Sequence, residues 1–467
     1  MSISIVQKPK NKQLVLTDKI IWSILDSTSI VDYVNVRYYA EVWVSKLDGT
    51  NFNKVTTLKT VPNADGVGIF DIRDSIESQL GSDTELNITA EYQGQTGATI
   101  ENTPVHFVDK YSRSTNANLS FYVIFYTKGA SDSKSPVGVI GNTVTSDTKH
   151  VINYIPTYDI PLYLDNDDYF TNTDEAGLYT NSSTASFLTD CPVEIDIRRN
   201  DYHTFAFQQA ITNFNDYGYE GITKLSVFAF GESGFITTFD IDCNTSNGGQ
   251  TPTAITNHQK QYLYAGVGAA NLRAHTFINM DIVKYYTVQA MGTTGSTASQ
   301  SKIYIFNIVD ECEYPTTRIT WLNKYGAWDY YNFNKKTVHT TSAKREKFNA
   351  HNGNWNEGAF KFTANKGGST VFRVDSKESL VLNSDYMTEE KAAWLEGVIT
   401  SPEVYIINET SDFDFNDTAS LITAGREKIQ PVIVTNSSIT RKTQINDKMI
   451  MHTLNIEKSN SNNTRKR

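Results

Sequence analysis

The chain has 467 residues, more than a single hydrophobic core organises, so we expect about two to four domains. Only 20% of the residues are charged, and Thr, Ser, Asn, Tyr and Phe are abundant while Pro is scarce, which favours many short strands over helices. The net charge of −10 is spread along the chain. This argues against a general nucleic-acid binder, because phosphate affinity depends on clustered Lys and Arg.

Cysteine and histidine usage argues against the common disulfide and metal sites. Cys191, Cys243 and Cys312 are odd in number and show no CxxC spacing, and the eight histidines form no HExxH or paired pattern. Acidic runs at 165–168 and 412–417 lack the Gly and Glu positions of a calcium loop, so we interpret them as solvated loops. We expect no metal and no cofactor.

No apolar segment is long enough for a signal peptide or a transmembrane helix, so we expect a protein that is made and kept soluble in a cytoplasm. The motifs GxGxxG, GxxxxGK[ST], GxSxG and HExxH do not occur, and the enzyme classes that need them lose support. We therefore expect a protein that is not an enzyme.

Residues 1–128 have the pattern of an N-terminal β-sandwich domain. From 36 to 44, apolar residues occupy every second position and fall on one face of a strand. A short helix is expected with Asp71 as its cap and with Ile72, Ile76 and Leu80 on one stripe. Strands are expected at 14–25, 31–45, 56–61, 85–92 and 120–126.

Residues 129–150 are rich in Gly, Ser, Asp and Thr, and we interpret them as a linker or a long loop. A central β domain is expected at 151–310 and a C-terminal β domain at 311–467. The strands of the central domain are expected at 193–197, 202–208, 224–229, 235–241, 261–267, 282–290 and 303–308.

The C-terminal domain contains the most informative stretch, residues 318–333, which read RITWLNKYGAWDYYNF. Aromatic and β-branched residues favour strands, and a reversal beginning at Asn323, with Gly326 at positive φ, predicts a hairpin. We interpret its rings as packed core, with Arg318 and Asp329 as an ion pair across the hairpin. The alternative is a platform on which sugars or bases stack.

After the hairpin, residues 337–358 are polar and expected to be exposed. A second helix is expected with Thr388 as its cap and with two glutamates in its first turn. Strands are expected at 403–407, 431–435 and 448–456, the last two pairing with each other. The predicted fold class is thus mainly β, with several antiparallel β-sandwich or barrel domains and two short helices.

Motifs in this order along the chain resemble those of tail-associated structural proteins of tailed bacteriophages, particularly the crAss-like phages. VRYYAEVWV followed by VPNADGVGIFDIRDSIESQL is similar to the opening domain of that family, and FLTDCP is similar to its next element, with Asp190 where the family pattern has Asn. The hairpin and the ending WLE…SPEVYI…PVIV follow. The hairpin positions that carry the resemblance or its structure are Arg318, Trp321, Leu322, Asn323, Gly326, Trp328, Asp329 and Phe333.

The resemblance implies a structural protein of the virion tail, in the hub, a baseplate-like end or a connector ring. Such a protein oligomerises with itself, joins other phage tail or connector proteins, meets DNA only in passage, has no membrane partner, and is made in the bacterial host cytoplasm. It has no catalytic residues. Two alternatives stay open: a receptor- or glycan-binding tail protein with stacking rings near 325–355, and a polysaccharide hydrolase, whose two carboxylates would leave no motif.

Overall fold

The computed structural model is mainly β, as predicted. The residues that it describes are 3–9, 13–15, 19–46, 51–92, 95–108, 111–114, 116–153, 186–208, 222–242, 262–273, 279–292, 299, 301–310, 314–353, 358–359, 361, 367–407, 429–436 and 450–459.

The chain divides into two compact units. Unit 1 comprises Met1–Asp310, Leu322–Asp329 and Thr410–Arg426, and unit 2 comprises Glu311–Trp321, Tyr330–Glu409 and Glu427–Arg467. Two parts of the expected C-terminal domain, Leu322–Asp329 and Thr410–Arg426, thus belong to unit 1. The boundaries of the three expected domains stay predictions.

Two sheets form the N-terminal sandwich of unit 1. The first has the order β1 (Ser4–Gln7), β3 (Ile21–Leu25), β6 (Val67–Asp71). The second has the order β2 (Gln13–Val15), β12 (Lys149–Ile152), β10 (Asn118–Ala130), β4 (Val34–Ser45), β5 (Asn53–Thr60), and β11 (Gly138–Thr145) also pairs with β10. Most pairs are antiparallel, whereas β12 and β2 run parallel.

The core of this sandwich lies between the two sheets. Along β4 the even-numbered residues from Tyr38 to Val44 are buried and the odd-numbered ones from 37 to 43 are half-buried, as the alternation predicts. Trp22 of β3 packs edge-on against Phe121 of β10, with ring centroids 5.7 Å apart. Apolar side chains from both sheets thus form one cluster, the arrangement of aligned sheet packing.

The remaining strands of unit 1 form three smaller sheets. A five-stranded sheet has the order β13 (Glu194–Ile197), β19 (Tyr304–Ile308), β18 (Tyr285–Gly292), β15 (Ile222–Gly231), β16 (Gly234–Asp242). A three-stranded sheet has the order β14 (Thr204–Gln208), β17 (Tyr262–Gly266), β9 (Tyr111–Arg113), and β7 (Glu85–Tyr92) pairs with β8 (Gln95–Pro104). All seven strands predicted for 193–308 are confirmed within a few residues.

Unit 2 is built on one antiparallel sheet to which seven strands contribute. Their order is β21 (Trp328–Phe333), β20 (Thr317–Leu322), β24 (Val404–Ile407), β25 (Ile429–Val434), β26 (Thr453–Lys458), β23 (Gly368–Asn383), β22 (Val338–Ala350). The predicted pairing of β25 with β26 is confirmed. None of the sheets in the described residues closes into a barrel.

The helices in the described residues are short. They are α1 (Ser27–Asp32), α2 (Arg73–Glu77), α3 (Ala269–Leu272), α4 (Glu389–Leu395) and α5 (Gly397–Thr400), with a 3-10 turn at Val105–Phe107. The predicted cap of α4 is confirmed, because the Thr388 side chain accepts a hydrogen bond from the Lys391 amide. At α2 the N-cap residue is Ile72, and Asp71 accepts a hydrogen bond from the Arg73 amide, as predicted.

Of two expectations about polar segments, one is wrong and one is confirmed. Residues 129–150 are not simply a linker, because they contain β11, which pairs with β10 from Ile124 to Gly129. Residues 338–350 are exposed as predicted, but they form the edge strand β22. In both segments, polar residues are compatible with a strand because at least one face meets water.

Several expectations lie outside the described residues. These are the acidic runs at 165–168 and 412–417, Cys243, Cys312, and Trp355 of the alternative stacking platform. Cys191 is described, is buried and forms no disulfide bond.

Candidate functional site

The tip of the tryptophan hairpin is fixed by one side-chain amide. The Asn323 Oδ1 accepts hydrogen bonds from the backbone amides of Tyr325 (3.0 Å) and Ala327 (3.1 Å), and the Asn323 amide donates to the Ala327 carbonyl (2.8 Å). Gly326 closes the turn with its amide on the Asn323 carbonyl and a φ of +72°. Asn side chains favour such turns because they imitate a backbone acceptor.

The hairpin strands within unit 2 carry buried rings. Trp321 is 1% exposed, and its ring centroid lies 5.1 Å from that of Trp394 on α4. Tyr331 lies 6.1 Å from the same Trp394 ring and 4.9 Å from Phe333. These side chains join one helix to the sheet, which is the role of packed core that the sequence predicts.

Arg318 is buried, and Asn332 is one of its partners. The Asn323–Ala327 backbone bond sets a register that puts Asn332 opposite Arg318. The expected ion pair of Arg318 with Asp329 stays a prediction. The Arg318 Nη1 donates to Asn332 Oδ1 at 2.8 Å, and the guanidinium lies 5.1 Å from the centroid of the Tyr330 ring. A buried guanidinium over a ring face gains a cation–π attraction.

The tip of the hairpin, residues 322–329, belongs to unit 1 and is held there by several polar contacts. The indole N–H of Trp328 donates to the Asp83 carbonyl (2.7 Å), and the Thr189 hydroxyl donates to Asp329 Oδ1 (2.5 Å). The Asn323 Nδ2 donates to the Leu188 carbonyl (2.9 Å). Asp190 also pairs with Lys324 and accepts from the Tyr325 hydroxyl.

Behind Trp328 lies a buried carboxylate. Asp83 is fully buried, and its oxygens accept from the Ser114 hydroxyl (2.5 Å) and from the Asn116 amide (2.8 Å). The Tyr264 hydroxyl lies 3.1 Å from Asp83 Oδ2 and 3.3 Å from the Gly326 carbonyl. Burial raises the pKa of the neighbouring Tyr262, and the Asp83 charge raises it further. These bonds hold the tip in one position.

Sequence reasoning found the hairpin but missed the residues that receive it. Leu188, Thr189 and Asp190 lie in the FLTDCP motif, so the order of motifs was a signal that 187–192 and 318–333 act together. Asp83 carried no such signal. The motif residues of the hairpin are therefore structural positions, with Leu322 half-buried and Phe333 buried.

A second feature stands out by its exposure. Strands β22 and β23 pair from Val338–Val381 out to Ala350–Gly368, whereas β26 pairs only with Ser379–Asn383 of β23. We call the unsupported part, residues 341–350 and 368–378, the ribbon. At about 3.3 Å per residue it extends for about 33 Å. The first buried side chains on β23 are Leu380 and Leu382, both beyond the ribbon.

The ribbon carries an aromatic pair at a β-bulge. The register pairs Glu346 with Arg373 and Lys347 with Val371, so Phe372 is the extra residue of the bulge. Phe348 and Phe372 are 47% and 48% exposed, and their ring centroids lie 6.2 Å apart at an interplanar angle of 66°. Bulges commonly redirect a side chain, and here Phe372 lies beside Phe348.

In the described part of the chain, no group of three or more His, Cys, Asp or Glu side chains is arranged to hold a metal ion. Among the same residues no helix has the length and apolar character needed to cross a bilayer.

Comparison with known proteins leaves the family open. No protein-family model and no curated protein matches the chain. Among solved structures, the chain is similar to one described as "Biofilm associated protein - BSP domain", with 13% identity over 81% of this chain and 63% of that chain and a TM-score of 0.15. The chain thus spans less than two thirds of that structure's length, and so low a TM-score carries no argument.

Proposed function

We propose that this chain is a structural component of a tailed phage virion, which oligomerises in the tail hub or connector region and helps to form the DNA passage. The observation that carries the proposal is the ribbon, an arm of about 33 Å whose side chains pack on no core of their own. Such an arm gives a subunit that acts by contact and shape a surface with which to reach a neighbour.

The order of the motifs supports the same role. The pattern in β4, the FLTDCP motif, the tryptophan hairpin and the ending after α4 follow one another as in the tail proteins that the chain resembles. Two of these motifs, FLTDCP and the tryptophan hairpin, contact each other, since Leu188, Thr189 and Asp190 bind the tip of the hairpin. The net charge of −10 suits a wall past which DNA slides without sticking.

The glycan-binding alternative has less support at the hairpin. A stacking platform must present ring faces to solvent, but Trp321, Trp328 and Tyr330 are almost fully buried. The polysaccharide-hydrolase alternative needs two carboxylates across a cleft. The buried carboxylate of the site, Asp83, is hydrogen-bonded to donors of the fold itself, which suits a structural acid.

The test is the protein content of purified particles. We expect mass spectrometry of gradient-purified virions, from an infected culture that makes this chain, to find it at a fixed ratio to the other structural proteins. A chain that is abundant in the lysate and absent from particles would contradict the proposal. Turnover of host capsule or peptidoglycan by the purified chain would favour the hydrolase instead.

A further inference from the structure

We propose that the ribbon is a docking arm that binds, through its Phe348/Phe372 face, to an acidic surface on a second copy of this chain. The inference rests on the proposed function and deepens it, because it names the arm and the partner. It concerns a face of the sheet for which the described chain supplies no cover.

The first argument is the lack of support. A two-stranded ribbon is marginal in water by itself, and stability normally needs a third strand or a packed face. Among the described residues the ribbon has neither a third strand nor a packed face. The pairing of β23 with β26 ends at Ser379, and nearly all side chains of the ribbon are exposed or half-exposed. A partner that covers one face would supply what is missing.

The second argument is the aromatic pair. Two half-exposed phenylalanines in contact on an otherwise polar ribbon form a compact apolar patch, and aromatic residues are enriched in the centres of protein interfaces. The bulge at Phe372 helps to form this patch. In a regular register Phe372 would pair with a residue of β22, whereas at the bulge it is unpaired. The two rings are therefore the anchor of the proposed contact.

The third argument is charge. The ribbon has five cations and three carboxylates, a net charge of +2, so the rest of the chain carries −12. Arg373 pairs with Asp375 and Lys377 with Glu457. By contrast Lys344, Arg345 and Lys347 have no ion-pair partner among the described residues and flank the aromatic patch along β22. A cationic arm on an acidic protein is complementary to another copy of that protein.

The same cations decide how the arm binds. Strand β22 is the outer edge of its sheet, and Lys on an edge strand discourages the addition of another strand. The bulge also interrupts the ladder. Contact therefore goes through the face that carries Phe348 and Phe372, and not through edge pairing. By the alternation of β22, Lys344 shares the face of Phe348, whereas Arg345 and Lys347 are on the opposite face and add longer-range attraction.

The experiment measures self-association of the purified full chain by sedimentation velocity and light scattering at micromolar concentration. It compares about 0.1 M with about 1 M NaCl, between which the Debye length falls from about 10 Å to 3 Å. We expect oligomers in the low salt that weaken in the high salt. The double variant Phe348→Ser/Phe372→Ser should raise the dissociation constant at least about tenfold.

A charge variant and two controls complete the design. Lys344→Glu/Arg345→Glu/Lys347→Glu should weaken association by a similar factor and remove most of its salt dependence. Phe235→Ser changes a phenylalanine that is 59% exposed on β16, and Lys302→Glu changes an exposed lysine. Neither control should alter association, and all variants should keep the wild-type circular dichroism spectrum.

Each outcome of these experiments either supports or overturns the inference. A chain that stays monomeric, or that associates equally well with the ribbon variants, overturns the inference. Binding of the ribbon to duplex DNA without self-association would replace the partner and also overturn it. If the chain forms ribbon-dependent oligomers but is absent from virions, the docking arm is supported and the phage function is refuted. If the chain is a virion protein whose assembly does not depend on the ribbon, the phage function is supported and the docking arm is refuted.

Discussion

Gly326 combines two independent constraints in one residue. Its φ of +72° is a conformation that side chains with a Cβ rarely adopt, and a Cβ built there would lie 2.3 Å from the Asn153 carbonyl oxygen. The first constraint follows from the turn sequence and was predicted. The second comes from a segment 173 positions earlier and leaves no trace near residue 326.

We expect Gly326→Ala to destabilise the protein by about 2 to 4 kcal/mol, since positive φ and a backbone clash each cost about 1 to 3 kcal/mol. Thermal and urea unfolding measure the change. Gly138→Ala is the matched control, because its Cβ would meet nothing within 4 Å and its φ is not positive. Similar losses in the two variants would show that the close approach to Asn153 does not occur.

Trp328 and Trp22 are both deeply buried but differ at the indole nitrogen. The Trp328 N–H donates to the Asp83 carbonyl, while the Trp22 Nε1 is buried without a hydrogen-bond partner. Sequence alone predicted burial for Trp328. It could not identify Asp83, because a carbonyl acceptor leaves no signature in residue type.

We expect Trp→Ala at either position to cost about 3 to 5 kcal/mol. Trp328→Phe should cost about 0.5 to 1.5 kcal/mol more than Trp22→Phe, because only the former breaks a hydrogen bond and leaves a buried acceptor. Urea denaturation of the four variants tests this. Equal costs for the two Phe variants would mean that the bond to Asp83 contributes nothing net, and unchanged stability in Trp328→Ala would revive the exposed platform.

Burial raises the pKa of several tyrosines, which predicts a loss of stability at alkaline pH. For Tyr405, burial and the adjacent Glu403 carboxylate raise the pKa to about 12, and burial also raises those of Tyr38, Tyr262 and Tyr304. Below the ordinary value of 10.0 both folded and unfolded chains are protonated, so this contribution is intact. Above it only the unfolded chain ionises readily, and stability falls.

We therefore expect the structure to persist up to about pH 10 and to unfold steeply above it. Tyrosinate absorbance and circular dichroism should change together. Tyr405→Phe removes one of the resisting groups and should move the midpoint upward. A gradual ionisation of all tyrosines with the β-sheet spectrum intact would contradict the assignment.

At the scale of elements, we expect the ribbon to provide exposed surface but to contribute little to stability. Thr340 pairs with Ser379, so replacing residues 341–378 by Asn-Gly would close the hairpin with a two-residue loop of a favoured type. We expect unfolding free energy to stay within about 0.5 kcal/mol of wild type, because exposed positions contribute little. Leu380→Ala, in the supported part, should cost about 2 to 5 kcal/mol. A comparable loss on shortening would mean that the ribbon belongs to the core of unit 2.

Pattern was a good guide where one face of an element is buried. The alternation in β4 and the Thr388 cap of α4 are local properties, and both predictions are confirmed. Prediction failed for residues 129–150, which were interpreted as a linker or loop, because the pairing of the polar strand β11 with β10 is not visible in composition. The exposure predicted for 337–358 is confirmed along β22, although its pairing with β23 was not predicted. Asn332 was not predicted as a partner of Arg318, because a hairpin register depends on one turn hydrogen bond.

Over the whole molecule, unit 1 is completed by parts of the chain that lie far apart in sequence. Strand β9 pairs with β17, and Trp328 bonds to a residue 245 positions earlier. Each strand can be recognised from its local sequence pattern, but that pattern does not determine with which distant strand it pairs. For this reason most strands of 193–308 were predictable, whereas the sheet order and the residues that receive the hairpin were not.

That separation also puts a delay into biosynthesis. A ribosome adds about 5 to 20 residues per second, so roughly 12 to 50 s elapse between the synthesis of Asp83 and that of Trp328, which is 245 positions later. By the end of that interval the nascent chain has made most of its strands but not yet the indole that donates to the Asp83 carbonyl. Unit 1 must therefore wait, partly assembled and open to aggregation, until the hairpin leaves the ribosome.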